Sequence, residues 1–266
     1  MAVMHSLSNI VPSQPAFTPI EDDGRRLYVA GLTTLRNGDA DEAVLLLTQA
    51  LRRNPAHAGM RRNLVRALLV VERWDQVVMQ ANAALVGAPD DGELHFARGT
   101  ALNALGQHTR ACAAFARALS LQPNHAASWL NMGNASADLD DITTAEALYR
   151  TAISLDPGLA EAHASLGYLL TMQGHLQEAI GACEDAIRLR PDFVQAHFNL
   201  AIAALLGGDL TRGFKAYEWR KRPAVARLPL GRVQPRRSDH AGAGRAGLRR
   251  RDPVCPLSAA DPRGWW

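Results

Sequence analysis

Residues 160–193 read AEAHASLGYLLTMQGHLQEAIGACEDAIRLRPDF. The pattern predicts one amphipathic helix from Ala162 to Met172 and a second from Leu176 to Leu189. Gly174 lies between them, where a left-handed backbone costs glycine least. Pro191 ends the second run, because its ring excludes an interior helical hydrogen bond. A lone pair of this kind cannot bury its apolar face, so it needs copies of itself as neighbours. The chain supplies them. Pro55, Pro89, Pro123, Pro157 and Pro191 recur every 34 residues. Ala50, Ala84, Ala118, Ala152 and Ala186 keep the same interval, as do Ala111, Ala145 and Ala179. Gly31, Gly99, Gly133 and Gly167 form a further phase, with Val65 and Ala201 in its gaps.

With each proline at position 32, repeats run over 24–57, 58–91, 92–125, 126–159, 160–193 and 194–222. This pattern resembles the tetratricopeptide repeat (TPR). Repeat four carries Trp129, Met132 and Gly133 at the W-x-x-L-G positions, then Ala145, Tyr149, Ala152 and Pro157. Repeat five carries His163, Leu166, Gly167, Leu170, Ala179, Ala186 and Pro191. Repeat two fits least, with Arg61 and Val65 in the usual aromatic and glycine places. The resemblance covers roughly residues 22–222. It implies an all-α fold, a right-handed α-α superhelix (a TPR solenoid), with the first helix of each pair, helix A, lining the concave surface.

The composition of the 266 residues, 47% hydrophobic and 21% charged, suits a soluble protein with a core. No apolar run reaches the length of a membrane span. Residues 1–21 lack a basic start followed by an apolar stretch, and Pro12, Pro15 and Pro19 suggest a disordered lead-in. Cys112, Cys183 and Cys255 show neither metal spacing nor a disulfide framework, which points to a reducing, cytoplasmic compartment. Charge is uneven: residues 1–219 hold 17 basic and 23 acidic side chains, and residues 220–266 hold 12 and 3.

Inward-facing positions of helix A are, by the resemblance, 2, 5, 6, 9, 12 and 13. Position 6 reads Val29, Asn63, Ala97, Asn131, Ser165 and Asn199. Asn63, Asn131 and Asn199 resemble the asparagine ladder of O-linked N-acetylglucosamine transferases, where carboxamides hold a peptide backbone by donating and accepting at once. The alternative is a solvated polar wall. Arg62 and Arg66, one turn apart, either take an acidic peptide group or form a solvated charged pair. Phe96, Tyr168 and Phe198 would add apolar contacts, and Thr100, Asn103 and Asn134 complete the polar set. No three consecutive repeats supply the carboxylate clamp by which related arrays hold chaperone tails. His95, His163 and His197 share position 4 but lie too far apart to share a zinc ion, and read as interhelical packing groups. Asp138, Asp140 and Asp141 read as turn solvation and a helix cap near Thr143. No phosphate loop, paired-His metal motif or nucleophile elbow occurs.

The expected function is therefore a protein-interaction scaffold holding an extended peptide or partner helix, not an enzyme, with no cofactor and no membrane partner. Periodicity stops at Pro223, and 223–266 is an irregular basic tail. Its charge suggests nucleic acid, but aromatic residues are missing until Trp265, which argues against that partner. Leu205 to Arg222 resembles the last repeat of bacterial proteins in which TPRs precede a heptosyltransferase-like glycosyltransferase domain. Read one base forward from about Leu230, the tail's codons permit that family's following segment. A frameshift between about Ala224 and Leu230 is the expectation, and the gene's DNA tests it: the segment must appear in the shifted frame. The alternative function is accordingly the substrate-presenting region of a glycosyltransferase whose catalytic domain is missing from this chain.

Overall fold

In a computed structural model, which describes residues 22–221, each repeat is a pair of helices joined by a tight turn. Helices A are α1 (Asp22–Arg36), α3 (Ala58–Val70), α5 (Gly92–Ala104), α7 (Ala126–Asp138), α9 (Ala160–Gln173) and α11 (Val194–Leu206). Helices B are α2 (Ala40–Arg53), α4 (Trp74–Gly87), α6 (His108–Leu121), α8 (Ile142–Leu155), α10 (Leu176–Leu189) and α12 (Leu210–Tyr217). A 3-10 turn, Glu218–Lys221, follows α12. No strand occurs among the described residues, so the fold is all-α. Helix α10 has the predicted bounds, whereas α9 is longer at both ends than the periodicity showed. The expectations for 1–21 and 223–266, including the disorder, the nucleic-acid reading and the frameshift, lie outside the described residues.

Local chemistry explains the pairs. Position 15 of every repeat takes a positive φ: Gly38, Gly106, Gly174 and Gly208, but also Glu72 (56°) and Asp140 (61°). Asp39, Asp141 and Asp209 then cap helices B, each carboxylate accepting from a backbone N–H three residues on. The predicted aspartate cap in repeat four is therefore Asp141 acting on Thr144, while Asp140 makes the turn.

Two compact units make up the described residues, 22–156 and 157–221. In the first, α1 to α8 pack in chain order, and successive helices A also touch one another. In the second, α9 packs on both α10 and α11, and α11 on α12. Within each pair the seam matches position 8 to position 24. A Cβ on Gly99 would meet the Phe115 ring at 2.7 Å, one on Gly133 the Tyr149 ring at 2.6 Å, and one on Gly167 the Cys183 sulfur at 2.5 Å. Repeat two exchanges the sizes, with Val65 at position 8 and Ala81 at position 24, both buried in one core cluster. Its poor fit to the repeat pattern is thus a volume-conserving swap. Cys183 fills that seam, and burial pushes its thiol up to about 12, far from the reactive thiolate range.

Candidate functional site

Position 4, which sequence reasoning assigned to packing, has a more specific task. The ring Nε2–H of His95 donates to the Pro89 carbonyl at 2.8 Å, that of His163 to Pro157 at 3.1 Å, and that of His197 to Pro191 at 2.8 Å. Trp129 Nε1 donates to Pro123 at 2.7 Å, and the Arg61 guanidinium to Pro55 at 2.7 Å. A donor at position 4 thus clasps the preceding loop to the first turn of helix A. The signal was present in the sequence, since Trp, His and Arg all carry a long-reaching N–H.

In residues 22–156 the helix A surface is a connected polar seam. Asn63 Nδ2 donates to the Tyr28 hydroxyl at 2.6 Å, while Arg66 donates to Asn63 Oδ1 at 3.4 Å and to Glu93 at 2.5 Å. Burial pushes the Tyr28 hydroxyl up, and the Asn63 hydrogen bond and nearby Arg66 and Arg62 partly offset it. Arg62 pairs with Asp91, the cap of α5. Both arginines therefore pair with carboxylates at the start of α5, Arg62 with its cap Asp91 and Arg66 with Glu93 in its first turn. The two guanidiniums thus sit in ion pairs within the protein, with the Arg62 side chain still 46% exposed.

Farther along the unit, Phe96 packs edge-on against His125, with centroids 4.9 Å apart, and lies near Phe115. Thr100 turns its hydroxyl onto the Phe96 carbonyl of its own helix. Asn103 Oδ1 accepts from His108 Nδ1 at 2.8 Å, and Asp138 lies 3.4 Å from the same nitrogen. Burial raises the Asp138 carboxyl, with His108 and Asn103 opposing that rise. Asn134 Oδ1 accepts from Tyr149 at 2.9 Å.

Asn131 differs. It is half-buried on the same helix face, and its carboxamide makes no hydrogen bond within the described residues. The cause lies one repeat back. Position 6 side chains reach toward position 5 of the preceding repeat, which is Tyr28 for Asn63 and Ala164 for Asn199. For Asn131 that residue is Phe96, whose ring offers no acceptor of comparable strength and whose carbonyl already takes Thr100.

In residues 157–221, Asn199 is only 3% exposed. Its Nδ2 donates to the Ala164 carbonyl at 3.0 Å and its Oδ1 accepts from Gln195 at 2.9 Å. Asn199 ties α11 to α9 and is removed from any ligand surface, a correction to its assignment. Tyr168 is 48% exposed on α9, and Phe198 is 40% exposed on α11, near the Tyr217 ring. No group of three or more metal-ligating side chains assembles among the described residues, and no helix there is long and apolar enough to cross a membrane.

Models of the tetratricopeptide repeat match residues 34–98 and, in overlapping segments, 72–126, 96–160, 130–192 and 173–226. A comparison with curated proteins finds no match. Among solved structures, PilW, a type IV pilus biogenesis factor, is similar over 77% of this chain and 98% of its own, with 17% identity and a TM-score of 0.68. A tetratricopeptide repeat protein from Parabacteroides merdae covers 75% and 79%, with 18% identity and a TM-score of 0.63. A thermophilic TPR protein from Thermus thermophilus covers 68% and 99%, with 22% identity and a TM-score of 0.56. At these identities the likeness is one of fold.

Proposed function

The chain belongs to the tetratricopeptide repeat family, and on that premise we propose that it is a cytoplasmic protein-interaction scaffold rather than an enzyme. It holds an extended peptide or a partner helix against the helix A face of residues 92–138. The observation that supports this reading is the unbonded carboxamide of Asn131, on the same helix as Asn134 and on a helix that touches α5, which carries Thr100 and Asn103. A half-exposed amide with both donor and acceptor free can bond a peptide backbone without selecting its side chains. The fixed hydrogen bonds around it hold neighbouring groups in place before a ligand arrives, which lowers the ordering cost of binding.

Single alanine variants separate this role from fold support. Asn131→Ala should weaken capture of the chain's partner about tenfold with an unchanged unfolding midpoint, as a bond worth about 1.4 kcal/mol requires. Asn63→Ala and Asn199→Ala should instead lower the midpoint, because each leaves a partner from the seam. Undiminished capture by Asn131→Ala would reject the assignment.

A further inference from the structure

The far end of the second unit presents apolar positions that are buried or half-buried in repeats with a successor in the same unit, Arg62 at position 5 being an exposed, ion-paired exception. Positions 5, 17 and 21 lie on the side of each pair that meets the next helix A. Position 5 shows the direction: Tyr28 lies 5.9 Å from the ring of His57, and Phe96 4.9 Å from that of His125, each belonging to the cap of the following helix A. At position 21, Val44, Cys112 and Ile180 are buried and Val78 is half-buried. At position 17, Ala40 is buried, while Trp74, His108 and Leu176 are half-buried. Repeat six breaks the rule. Leu210 is 58% exposed, Phe214 59% and Phe198 40%. Leu210 and Phe214 stand one turn apart on α12, so they form a single apolar strip.

The opposite end of the chain is finished differently. On α1 the positions that face backward in later repeats, 3, 7 and 10, hold Arg26, Ala30 and Thr33, all exposed. In repeat five the same positions hold Ala162, Leu166 and Leu169, all buried. The backward face of α1 is thus exposed and partly polar, whereas the forward face of repeat six is exposed and apolar.

We propose that the face formed by Phe198, Leu210 and Phe214 is a second docking surface, and that its occupant is an amphipathic helix of a partner protein. The helix lies where a seventh helix A would lie. Its chemistry is set by the interfaces already in the molecule: a small or apolar residue, then apolar residues four, seven and eight positions on, as in Ala162, Leu166, Leu169 and Leu170 or Ala196, Leu200, Ala203 and Ala204. The docking surface is thus continuous with the packing between repeats, and its mode is a helix laid against a helical groove. One other occupant is disfavoured: another copy stacking its first repeat here would offer Arg26 and Thr33 to Phe214. A symmetric pairing of two such ends is an outcome that the test decides.

The test uses the full chain and a helix-stapled peptide carrying residues 159–173, which contain the helix A pattern. Fluorescence anisotropy should show saturable binding. Leu210→Asp with Phe214→Asp should weaken it at least tenfold, while Asn131→Ala, in the other candidate site, should leave it unchanged. Circular dichroism of the double variant should remain helical; if it does not, the milder Phe214→Ser replaces it in the same assay. The proposal is overturned by no binding by the intact chain, by equal binding by the parent and the double variant, or by a dimer of the chain alone that Phe214→Ser dissociates. The last would assign the surface to a second copy. Tighter peptide binding after removal of residues 222–266 would also overturn it, since the chain's own tail would then be the occupant.

Discussion

Position 15 of each repeat has a left-handed backbone, and two of the six residues there are not glycine. An L side chain in that region costs roughly 1–2 kcal/mol, while glycine costs about 0.5–1 kcal/mol through the freedom it loses on folding. The first term wins by a modest margin. Glu72 is exposed, so replacing it sacrifices no packing. Glu72→Gly should therefore raise stability by about 0.5–1 kcal/mol, seen as a higher urea midpoint at unchanged slope. A lower midpoint would mean that the glutamate side chain contributes more than its backbone costs. The sequence disclosed this turn where it used Gly38, Gly106, Gly174 and Gly208. Glu72 carries no such mark, because its conformation is imposed by the two helices it joins. Asn199 was misread for a related reason. Period 34 gives the face a residue occupies, but not how near the neighbouring helix A approaches, and at Ala164 that approach leaves no room for a ligand.

At the scale of the element, each helix A after the first is fastened by its position 4 donor to the loop before it, and the burial of that donor makes pH matter where it is a histidine. Burial pushes the His95 imidazole down from its ordinary value, with Arg98 and Arg117 acting in the same direction; the hydrogen bond to Pro89 and nearby Asp91 oppose it. Burial also depresses His125, the residue preceding α7, with Glu93 opposing. A histidine whose folded value is depressed is more readily protonated in the unfolded chain. Its contribution is complete above the unfolded value of about 6.5 and is lost as pH falls below that toward the folded value. Stability should thus decline as pH falls below about 6.5, beyond any loss from the carboxylates. His95→Gln keeps an N–H donor but cannot titrate, so its pH profile should be flatter across that window. Parallel profiles for the variant and the parent would show that His95 contributes nothing to the acid loss. The helices and their turns were readable from periodicity alone. The clasp was not, because histidine, tryptophan and arginine share no property in a hydropathy pattern and only their N–H reach unites them.

Across the whole molecule, stability in each unit is a sum of what a helix pair gains internally and what it gains from its neighbours. Helix α5 has α4 and α6 beside it and also touches α3 and α7. Helix α12 packs on α11 and on the short 3-10 turn that follows it, where Trp219 stacks on His197 with centroids 3.7 Å apart. It has only eight residues and leaves Leu210 and Phe214 in water. An element with fewer packed neighbours opens at lower free energy, and each 1.4 kcal/mol of difference is a factor of ten in the open population. Amide exchange should accordingly be at least tenfold faster in α12 than in α5 or α6, under conditions where exchange reports the opening equilibrium. Equal protection would mean that the end face carries no local weakness. The same measurement reads the docking surface. A helix bound there stabilises the closed state in proportion to the logarithm of its concentration over its dissociation constant. With the stapled peptide at a hundred times that constant, protection of α12 should rise toward a hundredfold while α5 stays as it was. A rise in both would place the peptide elsewhere.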